Sequence, residues 1–181
     1  ILTLLLDAIN TDREHKNVPA ILNVWFGGSE AAYAIGDVLF GDVNPSGKLT
    51  MTFPKNVGQI PLFYNHKNTG RPLQNGKWFE KFRSNYLDVD NDALYPSATV
   101  YHTQLQYGDI VLNTPTMKQN ENNNSYNPSY KQWENDGAEV VQLTFRDLVG
   151  SITRPVRELK GFKKIFLKAG ESKTVSFKIT A

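Results

Sequence analysis

Short runs of hydrophobic residues at the start of the chain predict buried strands. Residues 1–6 (ILTLLL) and 20–26 (AILNVWF) are apolar and rich in branched side chains. Unbroken apolar runs of this length are typical of parallel strands whose two faces are both covered by helices. The two runs are therefore predicted to be strands of a parallel sheet.

A helix is predicted directly after the second run. Residues 27–28 are both glycine and suit a tight turn, Ser29 can cap a helix, and Glu30 would lie in its positively polarised first turn. Apolar residues recur at helical spacing over residues 31–39, and Gly41 supplies a left-handed stop. Strand and helix together predict an α/β arrangement.

The following segments predict a turn, a strand and then a connection. Residues 44–47 (NPSG) are turn formers, and residues 49–53 (LTMTF) alternate as in a strand. From residue 61 to residue 96 the sequence has little periodicity and is rich in Asn, Gly, Pro and Lys, which is typical of an ordered connection between domains. Its aromatic residues are expected to pack on a neighbouring surface: Tyr64, Trp78, Phe79, Phe82 and Tyr86.

The last third of the chain has a period of two, as in a β-sandwich. A polar tract at residues 119–127 contains too few apolar side chains to order itself and is expected to be a mobile loop. Alternation then predicts strands over residues 141–145 and 175–179, joined through a turn at residues 168–171. The apolar faces carry Val141, Leu143, Phe145, Val175, Phe177 and Ile179.

Composition limits the classes of partner. Twenty basic and eighteen acidic residues give a net charge of +2, which is too balanced to indicate a nucleic-acid or membrane partner recruited by charge. The chain has no cysteine, so disulfides and thiolate metal sites are excluded. Its apolar runs are far shorter than the roughly 20 residues of a transmembrane helix, and no membrane span is expected.

Two segments resemble glycoside hydrolase family 3. Residues 25–72, WFGGSEAAYAIGDVLFGDVNPSGKLTMTFPKNVGQIPLFYNHKNTGRP, are similar to the passage that closes the α/β sandwich domain in the family's bacterial periplasmic β-glucosidases. Residues 140–177, VVQLTFRDLVGSITRPVRELKGFKKIFLKAGESKTVSF, resemble the fibronectin-III-like domain that follows. The implied fold is α/β plus β: the C-terminal part of an α/β sandwich domain at residues 1–60, an interdomain connection at 61–96, and a fibronectin-III-like β-sandwich at 97–181.

The resemblance also implies a longer parent enzyme. Family members are several times longer than 181 residues, so the chain is expected to lack the amino-terminal catalytic barrel, which is its partner domain in the parent. The fibronectin-III-like sandwich is expected to be incomplete and to lack its closing strands. The implied parent is a periplasmic or secreted retaining enzyme that acts on terminal β-D-glucosides, or on a related β-glycoside such as a xyloside.

Retaining glycosidases work through two carboxylates about 5 Å apart. Neither of the family's carboxylate motifs matches this sequence, so no catalytic, cofactor-binding or metal-binding residue is assigned. The chain alone is expected to be inactive and to supply architecture for chemistry done elsewhere. The alternative is a non-catalytic fibronectin-III-like module that binds carbohydrate or a partner protein.

Three segments depart from the family pattern in a way that one-base shifts of the reading frame explain. Where the family has LYPFGYGLSYTTF, residues 94–105 are LYPSATVYHTQL, and loss of one T from suitable codons encodes residues 96–102 as they stand. Loss of one C and a shifted reading produce residues 7–10 from Gly-Arg-Pro-Leu, and a shifted reading produces residues 130–135 from Thr-Asn-Asn-Gly-Lys. The replaced segments would lose a Gly-rich turn and an alternating strand, which would weaken the sandwich. Real divergence is the alternative.

Carboxylates and glycines that resemble site motifs have simpler explanations. Glu30 is interpreted as a carboxylate at a helix start rather than an acid/base. The turn WFGGSE lacks the spacing of GxGxxG or GKS/T, so a phosphate cradle is disfavoured. Asp88, Asp90 and Asp92 alternate as in a calcium loop, but the sixth position is not glycine and the twelfth is not glutamate. A solvated loop is predicted there.

The three histidines lack the paired spacing of a zinc site: His15, His66 and His102. His66 lies in a polar and aromatic loop at residues 64–71. Such a loop could line the approach to sugar subsites or form a seam between domains. The adjoining apolar run at residues 60–63 favours the seam.

Two stretches near the C-terminus are interpreted as sandwich loop and edge residues that could dock on other domains. They are residues 154–155 (RP) and 160–162 (KGF). The Asn-Asn-Ser pattern at residues 123–125 matches a glycosylation acceptor and is interpreted as chance.

Overall fold

A computed structural model of the 181-residue chain describes residues 2–3, 12–46, 48–68, 70–72, 79–95, 105–112, 116, 122–124, 129–132 and 136–180. The chain divides into two compact units. The first unit contains Ile1–Asp42, Leu49–Thr99 and Arg146–Glu158, and the second contains Val43–Lys48, Val100–Phe145 and Leu159–Ala181.

A parallel strand pair begins the first unit. Strand β1 (Leu2–Thr3) pairs with strand β2 (Leu22–Asn23), and helix α1 (Asp12–Asn17) lies between them in sequence. This pairing confirms the parallel strands predicted from the two apolar runs. Helix α1 is not predicted by the hydrophobic pattern, because it is short and almost entirely polar. The described residues of β2 are half-buried rather than covered on both faces.

Helix α2 (Ala31–Phe40) confirms the predicted helix and its end. The chain leaves α2 through Gly41 in the left-handed conformation, with φ of +85°. The predicted cap at Ser29 is wrong: Glu30 occupies the N-cap position and makes no side-chain capping bond. The amide of Ala31 donates to the carbonyl of Gly28 at 3.1 Å, and this turn moves the helix start by one residue.

The strand predicted over residues 49–53 does not form. Only Phe53 makes a bridge, in which its amide donates to the carbonyl of Tyr95 at 2.8 Å. Alternation sets which side chains share a face, but a strand also needs a partner backbone along its length. Of the predicted turn at 44–47, Gly47 lies outside the described residues, and the described part shows no turn.

The rest of the first unit is ordered by isolated backbone pairings rather than by regular elements. A single turn of 3-10 helix spans Val57–Gln59. Farther along, the amide of Val156 donates to the carbonyl of His66 at 2.9 Å, and the amide of Ser84 donates to the carbonyl of Arg71 at 3.0 Å. These pairings support the prediction of an ordered connection.

The second unit is built from three small sheets, and the strands of two of them pair antiparallel. Strand β5 (Ser129–Gln132) lies between β3 (Leu105–Tyr107) and β8 (Ser172–Thr174). Strand β4 (Asn122–Asn124) pairs with β9 (Lys178–Thr180). The longest strands, β6 (Gly137–Phe145) and β7 (Glu158–Leu167), form a third sheet.

The apolar core of the second unit confirms the period-two pattern. Alternate residues of β6 are buried up to Leu143, whereas Phe145 is 37% exposed and lies beyond the buried face. The predicted turn is also confirmed, because the amide of Glu171 donates to the carbonyl of Lys168 at 2.9 Å and Gly170 has φ of +75°. The core consists of Val141, Leu143, Leu167, Val175 and Phe177.

Several β predictions need correction. The strand predicted over residues 175–179 is interrupted: β8 ends at Thr174 and β9 begins at Lys178, although Val175 and Phe177 are buried as expected. The KGF stretch at 160–162 lies within β7, a strand of a two-stranded sheet, which agrees with its interpretation as edge residues. Strand β7 is hard to predict because its outer face alternates Lys and Phe.

The polar tract expected to be a mobile loop contains strand β4, which pairs with β9 through Asn122–Thr180 and Asn124–Lys178. Backbone groups make these bonds, so a partner strand can order a sequence without apolar side chains. The segment at 130–135, for which a frame shift is predicted, likewise contributes its first three residues to β5. The segments at 7–10 and 96–102 lie outside the described residues.

None of the described helices is long and apolar enough to cross a membrane.

Candidate functional site

A charged cluster lies inside the second unit. Lys48 Nζ is 2.8 Å from Glu139 Oε1, and Tyr107 donates its hydroxyl to the same oxygen at 3.2 Å. Lys48 Nζ also donates to the Tyr107 hydroxyl oxygen at 3.3 Å, which closes a triangle. Glu139 is only 1% exposed, because it occupies the same buried face of β6 as Val141 and Leu143.

The electrostatics of this cluster favour structure over catalysis. Burial alone would lower the pKa of Lys48, but the hydrogen bond and charge of Glu139 outweigh it and raise that pKa. Burial, and then the charge of Glu139, raise the pKa of Tyr107. Lys48 therefore stays protonated and Tyr107 stays neutral, so neither is prepared to accept a proton near pH 7. The second oxygen of Glu139 has no hydrogen-bond partner in the described part of the chain.

A polar clasp in the first unit is centred on Gln59, which is fully buried. Its Oε1 accepts from the amides of Lys55 at 2.6 Å and Asn56 at 3.3 Å, and Asn56 caps the 3-10 helix by accepting from the Gly58 amide. The other end of Gln59 donates to the carbonyls of Asp90 at 2.9 Å and Asp92 at 3.1 Å. One side chain thus joins two segments that lie about thirty residues apart in sequence.

The aspartates with calcium-loop alternation are engaged by this clasp. Lys55 Nζ contacts both carboxylate oxygens of Asp90, at 2.6 and 2.7 Å, and Asp88 accepts from Asn56 Nδ2 at 2.6 Å. The hydrogen bond from Lys55 is the main cause that lowers the pKa of Asp90. The predicted solvated loop holds for Asp88 and Asp92, which are exposed, whereas Asp90 is half-buried and ion-paired. Among the described residues, no group of three or more His, Cys, Asp or Glu side chains is placed to hold a metal ion.

An aromatic cluster of the first unit contains the first of the three histidines. His15 Nδ1 is 2.6 Å from the Tyr95 hydroxyl, and the Tyr95 ring lies edge-on to Phe53. The ring of Trp25 lies 6.2 Å from that of Phe53, and the Trp25 backbone has φ of +50°. A left-handed backbone conformation is unfavourable for tryptophan. At this position, directly after β2, it places the indole against the neighbouring rings.

A second left-handed aromatic residue is exposed. Phe82 has φ of +67° and is 71% exposed, and Lys81 Nζ lies 5.0 Å from its ring centroid. The next residues pair with another segment, since the Ser84 amide donates to the carbonyl of Arg71, which is also exposed. The expectation that Phe79 and Phe82 pack on a neighbouring surface is wrong within the described residues, whereas Tyr86 donates its hydroxyl to the Gln59 carbonyl.

Two further residues considered as candidates from the sequence are Glu30 and His66. Glu30 is exposed at the N-cap of α2 rather than within its first turn. His66 Nδ1 lies 3.2 Å from the Lys67 carbonyl, and its ring meets that of Phe63. Lys67 forms an antiparallel bridge with Pro155, and both residues belong to the first unit, so the bridge orders this loop and the seam between domains stays a prediction.

The remaining candidate segments are placed only in part. Arg154 Nε lies 3.9 Å from Asp147 Oδ2, and both side chains are about half exposed. Of the possible glycosylation pattern, Asn123 and Asn124 lie in β4 and Ser125 lies outside the described residues, as does His102.

Sequence reasoning missed Gln59 and Glu139, although both leave a signal. The sequence Asn-Val-Gly-Gln at residues 56–59 has the spacing of a capping box, in which the fourth side chain returns to the cap. Glu139 shares the parity of Val141 and Leu143 in an alternating strand. A carboxylate at a core position predicts a buried cationic partner.

The sequence also matches a described family. The profile of the Glycosyl hydrolase family 3 C-terminal domain matches residues 3–101, which is more than half of the chain. The chain belongs to this family. A second profile, of the Fibronectin type III-like domain, matches residues 139–181 of the family 3 chain. The two matches confirm the resemblance drawn from residues 25–72 and 140–177.

Named relatives of the family 3 chain are glycosidases. It is 45% identical over 168 residues to a periplasmic beta-glucosidase of Salmonella typhimurium, covering 92% of this chain and 22% of that protein. It is 38% identical over 165 residues to a beta-xylosidase of Formosa agariphila, with 91% and 22% covered. The chain thus spans about a fifth of the length of these relatives.

The chain is also similar in structure to solved β-glucosidases. The beta-glucosidase of Listeria innocua in complex with glucose matches with a TM-score of 0.86 and 37% identity, over 96% of this chain and 24% of that one. A β-glucosidase from Erythrobacter marinus matches with a TM-score of 0.84 and 33% identity, over 99% and 22%. The backbone arrangement described above is therefore similar to that of the matching part of these enzymes.

Proposed function

We propose that the chain is the structural carboxy-terminal portion of a retaining β-glucosidase that hydrolyses terminal non-reducing β-D-glucosyl residues. The observation that carries the proposal is the pair of family matches, at residues 3–101 and 139–181, in the order found in named β-glucosidases. The similarity to a beta-xylosidase keeps β-xylosides as a related substrate class. The periplasmic relative supports a periplasmic or secreted location.

The proposed architecture has three parts. Residues 1–60 form the C-terminal part of an α/β sandwich domain, residues 61–96 a connection, and residues 97–181 an incomplete fibronectin-III-like sandwich. The parallel β1–β2 pair with α2 supports the first part, and the small sheets of strands β3 to β9, antiparallel in the β3–β5–β8 and β4–β9 sheets, support the last. The role of this architecture is to hold catalytic groups that lie in the amino-terminal barrel and in the part of the sandwich domain before residue 1.

The described carboxylates support a structural role. Glu139 is paired with Lys48, Asp90 with Lys55, and Asp88 accepts a hydrogen bond from Asn56. A retaining mechanism needs two carboxyl groups about 5 Å apart, each available to substrate. We assign no catalytic residue, cofactor or metal to this chain, because neither of the family's carboxylate motifs matches its sequence.

The exposed edge formed by Arg71 and Phe82 supports a saccharide-facing role for the connection. Backbone pairing of Arg71 with Ser84 brings the two segments together, and the left-handed conformation of Phe82 presents its ring to solvent. An exposed phenylalanine ring suits the apolar face of a sugar, and an exposed arginine on the paired segment suits its hydroxyl groups. An exposed residue keeps a strained backbone conformation when the surrounding structure enforces it. The strained conformation of Phe82 therefore favours a functional role for this residue.

A chimera tests the proposal. The matching segment of the Salmonella typhimurium periplasmic beta-glucosidase is replaced by this chain, folding is checked by circular dichroism, and hydrolysis of an aryl β-glucoside is measured. We expect activity from the chimera and none from the 181-residue chain alone. A folded but inactive chimera, or an active isolated chain, would contradict the proposal.

The saccharide-facing edge is tested in the same chimera. Phe82→Ala should raise KM for a β-linked glucose oligosaccharide more than KM for the aryl glucoside, because only the longer substrate extends beyond the cleaved sugar. Phe40→Ala, at an exposed phenylalanine at the end of α2, is the matched control and should change neither. Equal effects of the two substitutions would remove the assignment.

The alternative is a non-catalytic module that binds carbohydrate or a partner protein. Binding of the isolated chain to neutral cello-oligosaccharides, measured by calorimetry, separates the two functions. A scaffold should show no heat of binding, whereas saturable binding in place of chimera activity would favour the module.

A further inference from the structure

Each unit of the chain contains one segment whose neighbours in sequence belong to the other unit. Residues 43–48 belong to the second unit, although the residues directly before and after them belong to the first. Residues 146–158 belong to the first unit, although the residues directly before and after them belong to the second. The chain therefore passes from one unit to the other after residues 42, 48, 99, 145 and 158, rather than at a single linker.

Side-chain contacts hold the 43–48 segment in the second unit. Near its start, Asn44 Nδ2 donates to the carbonyl of Asp136 at 3.0 Å. At its end, Lys48 forms the ion pair with Glu139, whose side chain is 1% exposed. A carboxylate that is buried to this degree requires a cationic partner. The second unit thus completes its charged cluster with a residue whose segment continues into the first unit at both ends.

Backbone bonds hold the 146–158 segment in the first unit. The amide of Val156 donates to the carbonyl of His66 at 2.9 Å, and Pro155 forms a bridge with Lys67. This segment contains the connection from β6 to β7, the two longest strands of the second unit. The first unit thus orders a connection between two strands that carry part of the other unit's core.

We propose that this reciprocal exchange of segments makes the two units unfold together, so that the fibronectin-III-like part cannot act as a separable module. If the second unit unfolded alone, the 43–48 segment would lose its partners, and the pairings of the 146–158 segment would have to persist between two disordered strands. If the first unit unfolded alone, Lys48 would have to stay in place between two disordered stretches. Holding such segments in place while their flanks are disordered costs conformational and loop-closure entropy. Each unit therefore loses stability when the other unfolds.

This coupling goes beyond the proposed function and does not rest on it. It is tested on the 181-residue chain with no glycosidase assay. An inactive chimera would leave the coupling in place, and independent unfolding of the units would leave the scaffold role in place.

The test is native-state hydrogen exchange at low urea, read by mass spectrometry at the slowest-exchanging amides of α2 in the first unit and of β6 in the second. Leu167→Ala opens a cavity in the core of the second unit, because Leu167 is 0% exposed. We expect exchange to rise by the same factor in α2 and in β6, by at least about tenfold. Val141→Ala, at a smaller core residue, gives the same readout if Leu167→Ala does not fold.

The double variant Lys48→Met/Glu139→Met tests the exchanged segment itself. It removes the ion pair of the 43–48 segment without leaving a buried charge unpaired. When Leu167→Ala is added to this double variant, the rise of exchange in α2 should be smaller than the rise in β6. Leu148→Ala is the matched control, since Leu148 lies in the 146–158 segment but is 79% exposed, and it should change exchange in neither unit.

Two results would overturn the proposal. The first is faster exchange in β6 with unchanged exchange in α2 when Leu167→Ala or Val141→Ala is made in the parent chain, because the units would then unfold independently. The second is an effect of Leu167→Ala on α2 that is as large in the Lys48→Met/Glu139→Met background as in the parent chain, because the 43–48 segment would then not couple the units.

Discussion

The two units of this chain are stabilised by different forces. In the second unit, five apolar side chains are buried together, and one charged cluster is enclosed beside them. In the described part of the first unit, Pro54 is the only apolar residue that is buried. The other buried residue of this part is Gln59, whose side chain is polar. Large apolar residues of the first unit remain exposed, among them Phe26, Tyr33, Phe40 and Leu87.

This difference shows how each unit should respond to substitution. An apolar core loses stability through lost contacts and cavities, and the loss scales with the volume removed. A polar clasp loses stability when a buried donor or acceptor is left unsatisfied, and the loss depends on geometry rather than volume. The following substitutions test that contrast.

The largest effect is expected at the buried ion pair of the second unit. Lys48→Met leaves the carboxylate of Glu139 buried without its cation, which should lower the free energy of unfolding by about 3–5 kcal/mol. Urea denaturation measures the change. The double variant Lys48→Met/Glu139→Met removes both charges and should recover much of the loss, and a single variant as stable as the parent would show that the pair is not buried in solution.

The next effect is a cavity in the same unit. Leu167 is 0% exposed, so Leu167→Ala should cost about 2–5 kcal/mol and speed hydrogen exchange in β6 and β7. Leu148→Ala removes the same atoms from a side chain that is 79% exposed and should change stability by less than about 0.5 kcal/mol. Similar costs for the two leucines would contradict the core described above.

A smaller effect is expected in the polar clasp. Gln59→Leu keeps the volume but leaves the amide of Lys55 and the carbonyls of Asp90 and Asp92 without their partner, at a cost of about 1–3 kcal/mol. Hydrogen exchange at residues 55–60 gives the readout. Gln59→Glu keeps the acceptor and loses both donors, so its cost should be at least as large, and an unchanged exchange rate in both variants would exclude the clasp.

The smallest effect is a dependence on acid pH. The folded pKa of Asp90 lies below its unfolded value because Lys55 donates to it, so the contribution of this pair is complete above the unfolded value of about 4. It is lost as pH falls through the lower folded pKa, and for a partly exposed pair it should not exceed about 1 kcal/mol. Lys55→Met should remove this part of the pH dependence in urea titrations, whereas Lys67→Met should retain it.

Local patterns predict the elements that depend on neighbours in sequence. The helix at 31–40 and its stop at Gly41 follow from periodicity and glycine, and the buried face of β6 follows from alternation. Sequence patterns do not predict an element whose formation depends on a backbone segment far away in the sequence. Residues 49–53 alternate but find a partner only at Phe53, and the Asn-rich tract at 122–124 becomes a strand because β9 lies beside it.

The candidate sites show the same division. The resemblance to family 3 could be found from residues 25–72 and 140–177 alone, and the family matches confirm it. The engagement of Asp90 by Lys55 could not be predicted, because these residues lie 35 positions apart and neither has a local signal for the other. The exposure of Phe82 was mispredicted for a related reason, since aromatic composition does not reveal whether a partner surface lies within reach.

Residue order alone is sufficient to assign the family, the parallel strand pair of the first part, the sandwich pattern of the last part, and the buried face of β6. These properties follow from side-chain spacing and from motifs of consecutive residues. The burial and pairing of polar groups become visible only in the folded chain, where Glu139 pairs with Lys48 and Gln59 binds the backbone of Asp90 and Asp92. The physical reason is that hydrogen bonds and ion pairs act over a few ångströms in space, and the chain brings those atoms together only after it has folded.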